Sequence, residues 1–226
     1  VFVSADLFDD AVCRKQFGSM RDVTHLVYTA LYERADLVSG WRDDEQITLN
    51  EKMFKRVLDP MIAAKGALRH VTLLQGTKAY GVHVRRMPIP AREGRDEYRE
   101  QPNFYWQQED ILRDRGAGAD WAWTILRPVL IVGGSVGGAM NIVPPLGVYA
   151  ALLKEAGSPL LFPGGAQRIG QMVDVDLLAS AIDFAGENEA AWGRPLNVTN
   201  GDMYTWQDMW PAFADAFGME PGDPTD

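Results

Sequence analysis

The sequence predicts an α/β protein: a doubly wound parallel sheet of the Rossmann type with a small C-terminal lobe. Unbroken apolar runs of strand length recur at 25–30, 69–75 and 121–126, as expected of strands buried on both faces. Amphipathic stretches of helix length separate them, which is the order of parallel βαβ units. Asp6, Ala30, Lys78 and Pro128 close successive segments, so they are expected on the carboxyl edge of the sheet, where such folds bind ligands.

In chain order, Val1–Leu7 reads as a short strand and the stretch from Asp9 to Met20 as a helix with Phe17 and Met20 inward. Val1 has the look of a strand's end with no polar leader, so a preceding segment is expected. A helix is expected from Asp43 to Lys65, with Gly66 as its C-terminal stop. The Pro- and Arg-rich stretch from Gly81 to Glu100 reads as a surface loop. Asn103 is placed to cap a helix that carries Tyr105 at its mouth, and Gly116 to Gly118 end it. A strand through Leu126 runs on into Val129–Val132, followed by a glycine cluster and an apolar helix around Ile142 to Glu155. Beyond Gly157 come a short strand at Leu160, a helix after Asp176, a strand at Pro195–Asn200 and an aromatic helix capped by Thr205. The tail from Glu220 reads as frayed. The expected division is a dinucleotide-binding core over 1–156, incomplete at its start, and a substrate-binding lobe over 157–226 interleaved with it.

Composition narrows the function. A formal charge of −9 argues against nonspecific nucleic-acid binding and against an anionic membrane surface. One cysteine, Cys13, excludes a disulfide framework and fits a reducing cytoplasm, and the three histidines lack metal-ligand spacing. Gly133–Gly138 lacks the G-x-G-x-x-G spacing and falls too late in the sheet for a dinucleotide loop. A lysine at a strand's carboxyl end is the more informative residue. Near the positive end of a helix dipole, the phenolate form of Tyr105 would be favoured. A Tyr-x-x-x-Lys helix is absent, since Glu109 stands four residues after Tyr105.

Two motifs nevertheless go together. Gln75-Gly76-Thr77-Lys78-Ala79-Tyr80 followed by Asn103-Phe104-Tyr105-Trp106, with Glu109 and Asp110 behind, resembles the progesterone 5β-reductase/iridoid synthase-like (PRISE) branch of the short-chain dehydrogenase/reductases. In that branch the lysine comes from T-G-x-K-H-Y and the tyrosine from N-F-Y-Y-x-x-E-D. Val23–His25, Trp123–Pro128, Ala139–Asn141, Val148–Ala151 and Asn197–Asp202 extend the match in order along the chain. Ala79 stands for the family histidine and Trp106 for the second tyrosine, so the catalytic role passes to Tyr105 alone. No counterpart of the family's N-terminal G-x-x-G-x-x-G segment is found in these residues.

The resemblance implies an NAD(P)H-dependent reductase that performs 1,4-reduction of an enone or enal, with NADPH as cofactor and NADH as the alternative. Tyr105 would hold the carbonyl oxygen while Lys78 contacts the ribose and lowers the phenol's pKa. Asp6, Leu7, Thr29, Ala30, Pro128, Val129 and Ile131 would join Lys78 and Tyr105 at the cofactor. Tyr80, Gly134, Met140 and Asn141 would line a pocket for a small hydrophobic enone or carbonyl compound. No metal, nucleic acid or membrane partner is expected; the two long helices are of the kind through which dimers of this superfamily form, so a homodimer is allowed. The same fold also serves carbonyl reductases, sugar-nucleotide epimerases and dehydratases, and an idle dinucleotide sensor is the alternative of a different class.

Overall fold

The fold, seen in a computed structural model that describes residues 1–34, 40–95, 98–134 and 141–224, is set by a series of capped helices between parallel strands. Asp9 caps α1 (Asp10–Phe17), its carboxylate accepting from Ala11 N and Val12 N, which satisfies orphan amides of the first turn. After β1 (His25–Tyr28), Asp43 caps α2 (Asp44–Ala63) by accepting from Gln46 N. Met53, Phe54, Val57, Leu58 and Met61 line the buried face of that helix. Its end departs from expectation: Lys65, not Gly66, takes the left-handed conformation, at φ 48. Gly66 is needed for another reason, since a Cβ there would lie 2.6 Å from the Arg21 carbonyl oxygen. β2 (His70–Leu74), α3 (Phe104–Gly116) and β3 (Ala122–Pro128) follow.

The rest of the chain adds β4 (Leu130–Val132), α4 (Val143–Glu155), β5 (Leu160–Phe162), β6 (Met172–Asp174), α5 (Val175–Glu187), β7 (Arg194–Val198), α6 (Trp206–Ala216) and β8 (Pro221–Pro224). The main sheet runs in the order β1-β2-β3-β7, and two smaller sheets pair β4 with β6 and β5 with β8. β1, β2 and β3 are parallel, with His25 opposite His70 and His70 opposite Ala122. Their carboxyl ends therefore lie on one edge.

The chain forms two compact units, one of residues 1–128 with 180–197, the other of 129–179 with 198–226. In the first, Phe54 and Leu58 of α2 and Leu112 of α3 join Leu73 and Ile125 of the sheet in one core. In the second, Trp210 packs with Ala150, Leu160 and Phe162 and donates from Nε1 to the Leu160 carbonyl at 2.8 Å. The aromatic helix is thus core, as its spacing implies. No described helix is long and apolar enough to cross a membrane.

Three further expectations change. Val1–Leu7 forms no strand; Val1 and Phe2 are exposed and no described strand supplies their backbone with a ladder. β1, the sheet's edge strand among the described residues, is not buried on both faces: Val27 is exposed. The described part of the tail does not fray: Pro221–Pro224 pairs in parallel with β5.

His70, 1 % exposed, lies between the Thr124 hydroxyl at 3.0 Å and the Thr72 hydroxyl at 3.3 Å. Burial, and secondarily His25, pushes its pKa down to about 4 from 6.5. Between those two values the unfolded chain takes up a proton that the fold refuses. Stability should therefore fall as the pH drops from about 6.5 to about 4, by up to about 1.4 kcal/mol per pH unit from this group. Urea titrations across that range should show the slope, and His70→Gln should flatten it.

Candidate active site

Asn103 joins the two segments that matter. Its side-chain oxygen accepts from Tyr105 N at 3.0 Å, capping α3, while its Nδ2 donates to the Lys78 carbonyl at 3.2 Å. Gln75, at the end of β2, donates from Nε2 to the Tyr105 carbonyl at 3.1 Å. The Tyr105 hydroxyl lies beside Gly76: a Cβ built on that glycine would stand 3.5 Å from it and 3.7 Å from the Pro128 carbonyl oxygen. The phenol thus reaches the carboxyl edge of β2 and β3, and among the described residues its hydroxyl makes no hydrogen bond.

Trp41 is the shared neighbour. The Lys78 ammonium sits 3.5 Å above its ring centroid, and the Tyr105 ring meets it edge-on at 5.2 Å. Its indole Nε1 donates to Glu33 Oε1 at 2.7 Å, and that oxygen also lies 3.7 Å from Lys78 Nζ. The preceding residue, Tyr32, is pinned by Asn50 of α2, whose amide accepts from Tyr32 N at 2.9 Å and donates to Tyr32 O at 2.8 Å. Sequence reasoning missed Trp41, Glu33 and His83, whose ring lies 5.9 Å from that of Trp41. The only signal for Trp41 was its position just before the Asp43 cap.

The electrostatics reverse one expectation. Burial pushes the Tyr105 phenol well above its ordinary value, the Glu33 carboxylate pushes the same way, and Arg127 opposes both. Desolvation of the charged form outweighs the helix dipole, so the phenol is neutral. Burial also pushes the Lys78 amine down, with Glu33 pulling it back.

Behind the pair lies a buried ionic network. Arg127 is 3 % exposed and donates to Glu109 Oε2 at 3.1 Å and to Gln75 Oε1 at 3.0 Å. It also reaches the Tyr80 hydroxyl and the Glu93 carbonyl, each at 3.4 Å. Tyr80, expected to line the pocket, is buried, and its hydroxyl donates to Asn197 Oδ1 at 2.6 Å. The Glu93 carboxylate accepts from Asn197 N at 2.6 Å, which ties the loop to β7.

The other anticipated residues are distributed as follows. Thr29, Ala30 and Pro128 close β1 and β3 in the first unit; Asp6 Oδ1 accepts from Phe8 N and the Leu7 carbonyl from Arg56. Val129, Ile131, Gly134 and Asn141 belong to the second unit, where Asn141 donates to the Gly133 carbonyl at 3.3 Å. Met140 lies outside the described residues. Among the described residues, no group of His, Cys, Asp and Glu could hold a metal ion.

This arrangement has relatives. The model of the PRISE-like Rossmann-fold domain matches residues 5–226. The chain belongs to this family. It is 35% identical over 228 residues to a 3-oxo-Delta(4,5)-steroid 5-beta-reductase of Arabidopsis thaliana, covering 97% of this chain and 57% of that protein. It is 33% identical over 231 residues to an (S)-8-oxocitronellyl enol synthase of Nepeta racemosa, with 98% and 57% covered. The chain thus spans a little over half the length of these curated relatives. In fold it is similar to a GDP-L-fucose synthetase from Naegleria fowleri bound to NADP, with a TM-score of 0.73 at 16% identity, covering 100% of this chain and 72% of that one.

Ala79 and Trp106, two departures from the PRISE motifs, fall in one place. Ala79 and Trp106 pack together with Tyr98, and the Trp106 indole donates to the Gln101 carbonyl at 3.1 Å. A small residue lies with a large one, and Trp106 is a buried core residue against which Tyr105 also packs.

The network makes a stability prediction. Glu109→Gln leaves the Arg127 guanidinium buried without a carboxylate, which should cost about 3–5 kcal/mol in urea unfolding. Arg127→Met should cost less, because Arg113 and Arg99 still pair with Glu109. The double variant should regain part of the loss.

Proposed function

We propose that the intact protein is an NADPH-dependent reductase that saturates the C=C bond of an enone or enal. One observation carries this reading: a neutral phenol whose hydroxyl has no hydrogen-bond partner among the described residues stands at the sheet's carboxyl edge, sharing the Trp41 ring with a lysine tied to the same cap. Those groups would suit a nicotinamide dinucleotide, whose ribose would offer hydroxyls to the Lys78 ammonium, with Thr29, Ala30 and Pro128 along the edge of the first unit and Asp6 and Leu7 at the adenine end. When bound, NADPH supplies the hydride for the carbon β to the carbonyl. Tyr105 donates its hydrogen bond to the carbonyl oxygen, where negative charge grows. A neutral phenol suits this task, since a phenolate could not donate. Lys78 orients, and Glu33 with Trp41 fixes the amine so that no reorganisation is needed on reaction.

Residues from 157 onward, with Gly134, Met140 and Asn141, are read as the substrate-binding part. The relatives' names, a steroid reductase and a monoterpenoid enol synthase, support a hydrophobic enone or enal. NADPH rather than NADH is the preferred cofactor.

Tyr105→Phe tests the reading. It removes a hydroxyl that no described residue uses, so the melting temperature should hold while kcat for NADPH-dependent reduction of cyclohex-2-enone falls about 10²–10³-fold. An unchanged kcat would refute the assignment.

A further inference from the structure

His83 lies in the turn that follows the short 3₁₀ segment Thr77–Tyr80. Gly81 sets that turn at φ 73, where a Cβ would fall 2.7 Å from the Tyr98 ring, and its carbonyl accepts from Val84 N and Arg85 N at 2.9 and 3.0 Å. The turn delivers the imidazole to Trp41, the residue that already carries Lys78 and Tyr105. There both ring nitrogens are buried, and neither has a hydrogen-bond partner among the described residues. The other groups left so, Tyr28, Gln46 and Gln107, each leave a single atom. An unsatisfied buried polar atom costs about 1–3 kcal/mol, and native proteins relieve such sites with a ligand or a water.

Burial, with the positive charges of Lys78 and Arg42 nearby, holds the imidazole below its ordinary pKa. At neutral pH it therefore offers one N–H donor and one bare acceptor nitrogen. An oxygen function is the natural complement, since a hydroxyl meets either nitrogen and a carbonyl meets the N–H. The imidazole stands on a loop beyond the strand ends. Dinucleotides lie against the strand ends and first βα turns, and loops beyond them serve specificity.

We propose that His83 is a substrate-binding residue that hydrogen-bonds a second oxygen of the substrate, a hydroxyl or carbonyl distinct from the one held by Tyr105. This rests on the reductase reading and narrows it to oxygenated enones.

The test needs no turnover. Full-length protein with NADP⁺ is titrated with 4-hydroxycyclohexanone and with cyclohexanone, reading affinity and the imidazole ¹⁵N resonances. The hydroxyketone should bind about 3–10-fold tighter, the worth of one neutral hydrogen bond, and shift the His83 nitrogens. His83→Phe should abolish that preference, leave cyclohexanone binding unchanged, and hold or raise the melting temperature. Equal affinities in the wild type, a preference that survives His83→Phe, or a variant that loses several degrees or fails to fold would overturn the proposal. The last result would mean that the imidazole serves the fold through a buried water. Turnover of cyclohex-2-enone is scored separately: preference without turnover refutes the reduction and not His83, and turnover without preference does the reverse.

Discussion

The buried pairing of Arg127 with Glu109 is the constraint on which the site depends. A guanidinium at the end of β3, 3 % exposed, is tolerable only if its donors are met, and four separate segments meet them. Glu109 comes from the helix that presents Tyr105, Gln75 from the end of β2, Tyr80 from the turn after Lys78, and Glu93 from the long loop. Gln75 then passes the constraint on, since its amide nitrogen holds the Tyr105 carbonyl. A charge that no part of the fold could leave unpaired thereby sets the angle at which α3 meets the sheet edge.

On that frame Tyr105 and Lys78 are tuned by burial more than by each other. A helix mouth alone would favour a phenolate at Tyr105. Burial and the Glu33 carboxylate act in the opposite direction and prevail. Glu33 also draws Lys78 onto the face of Trp41, so the amine is fixed although burial works against its charge. The outcome is a donor phenol and an oriented cation on one indole ring, groups suited to stabilising an oxyanion.

The legible part of the site was the part written in contiguous motifs. Lys78 follows a buried strand and Tyr105 follows an Asn103 cap, and the resemblance of their two motifs to the family's joined them as a pair. Trp41, Glu33 and His83 sit in segments without periodicity, and only tertiary packing brings them to Lys78. The fold was legible for the same reason, because α2 has an amphipathic spacing and the buried β2 and β3 are unbroken apolar runs of strand length. The misses came where partners decide. A segment such as Val1–Leu7 has strand composition but needs a neighbour for its ladder, whereas the Pro- and Gly-rich tail found one in β5. Lys65 takes the left-handed position, and Gly66 instead serves the close approach to Arg21.

The central claim is that the protein delivers hydride to the carbon β to a carbonyl whose oxygen Tyr105 holds. Reduction of cyclohex-2-enone with deuterium at C4 of NADPH tests it most directly. The account predicts cyclohexanone carrying one deuterium at the carbon β to the carbonyl. Deuterium at the former carbonyl carbon, in cyclohex-2-enol, would contradict it.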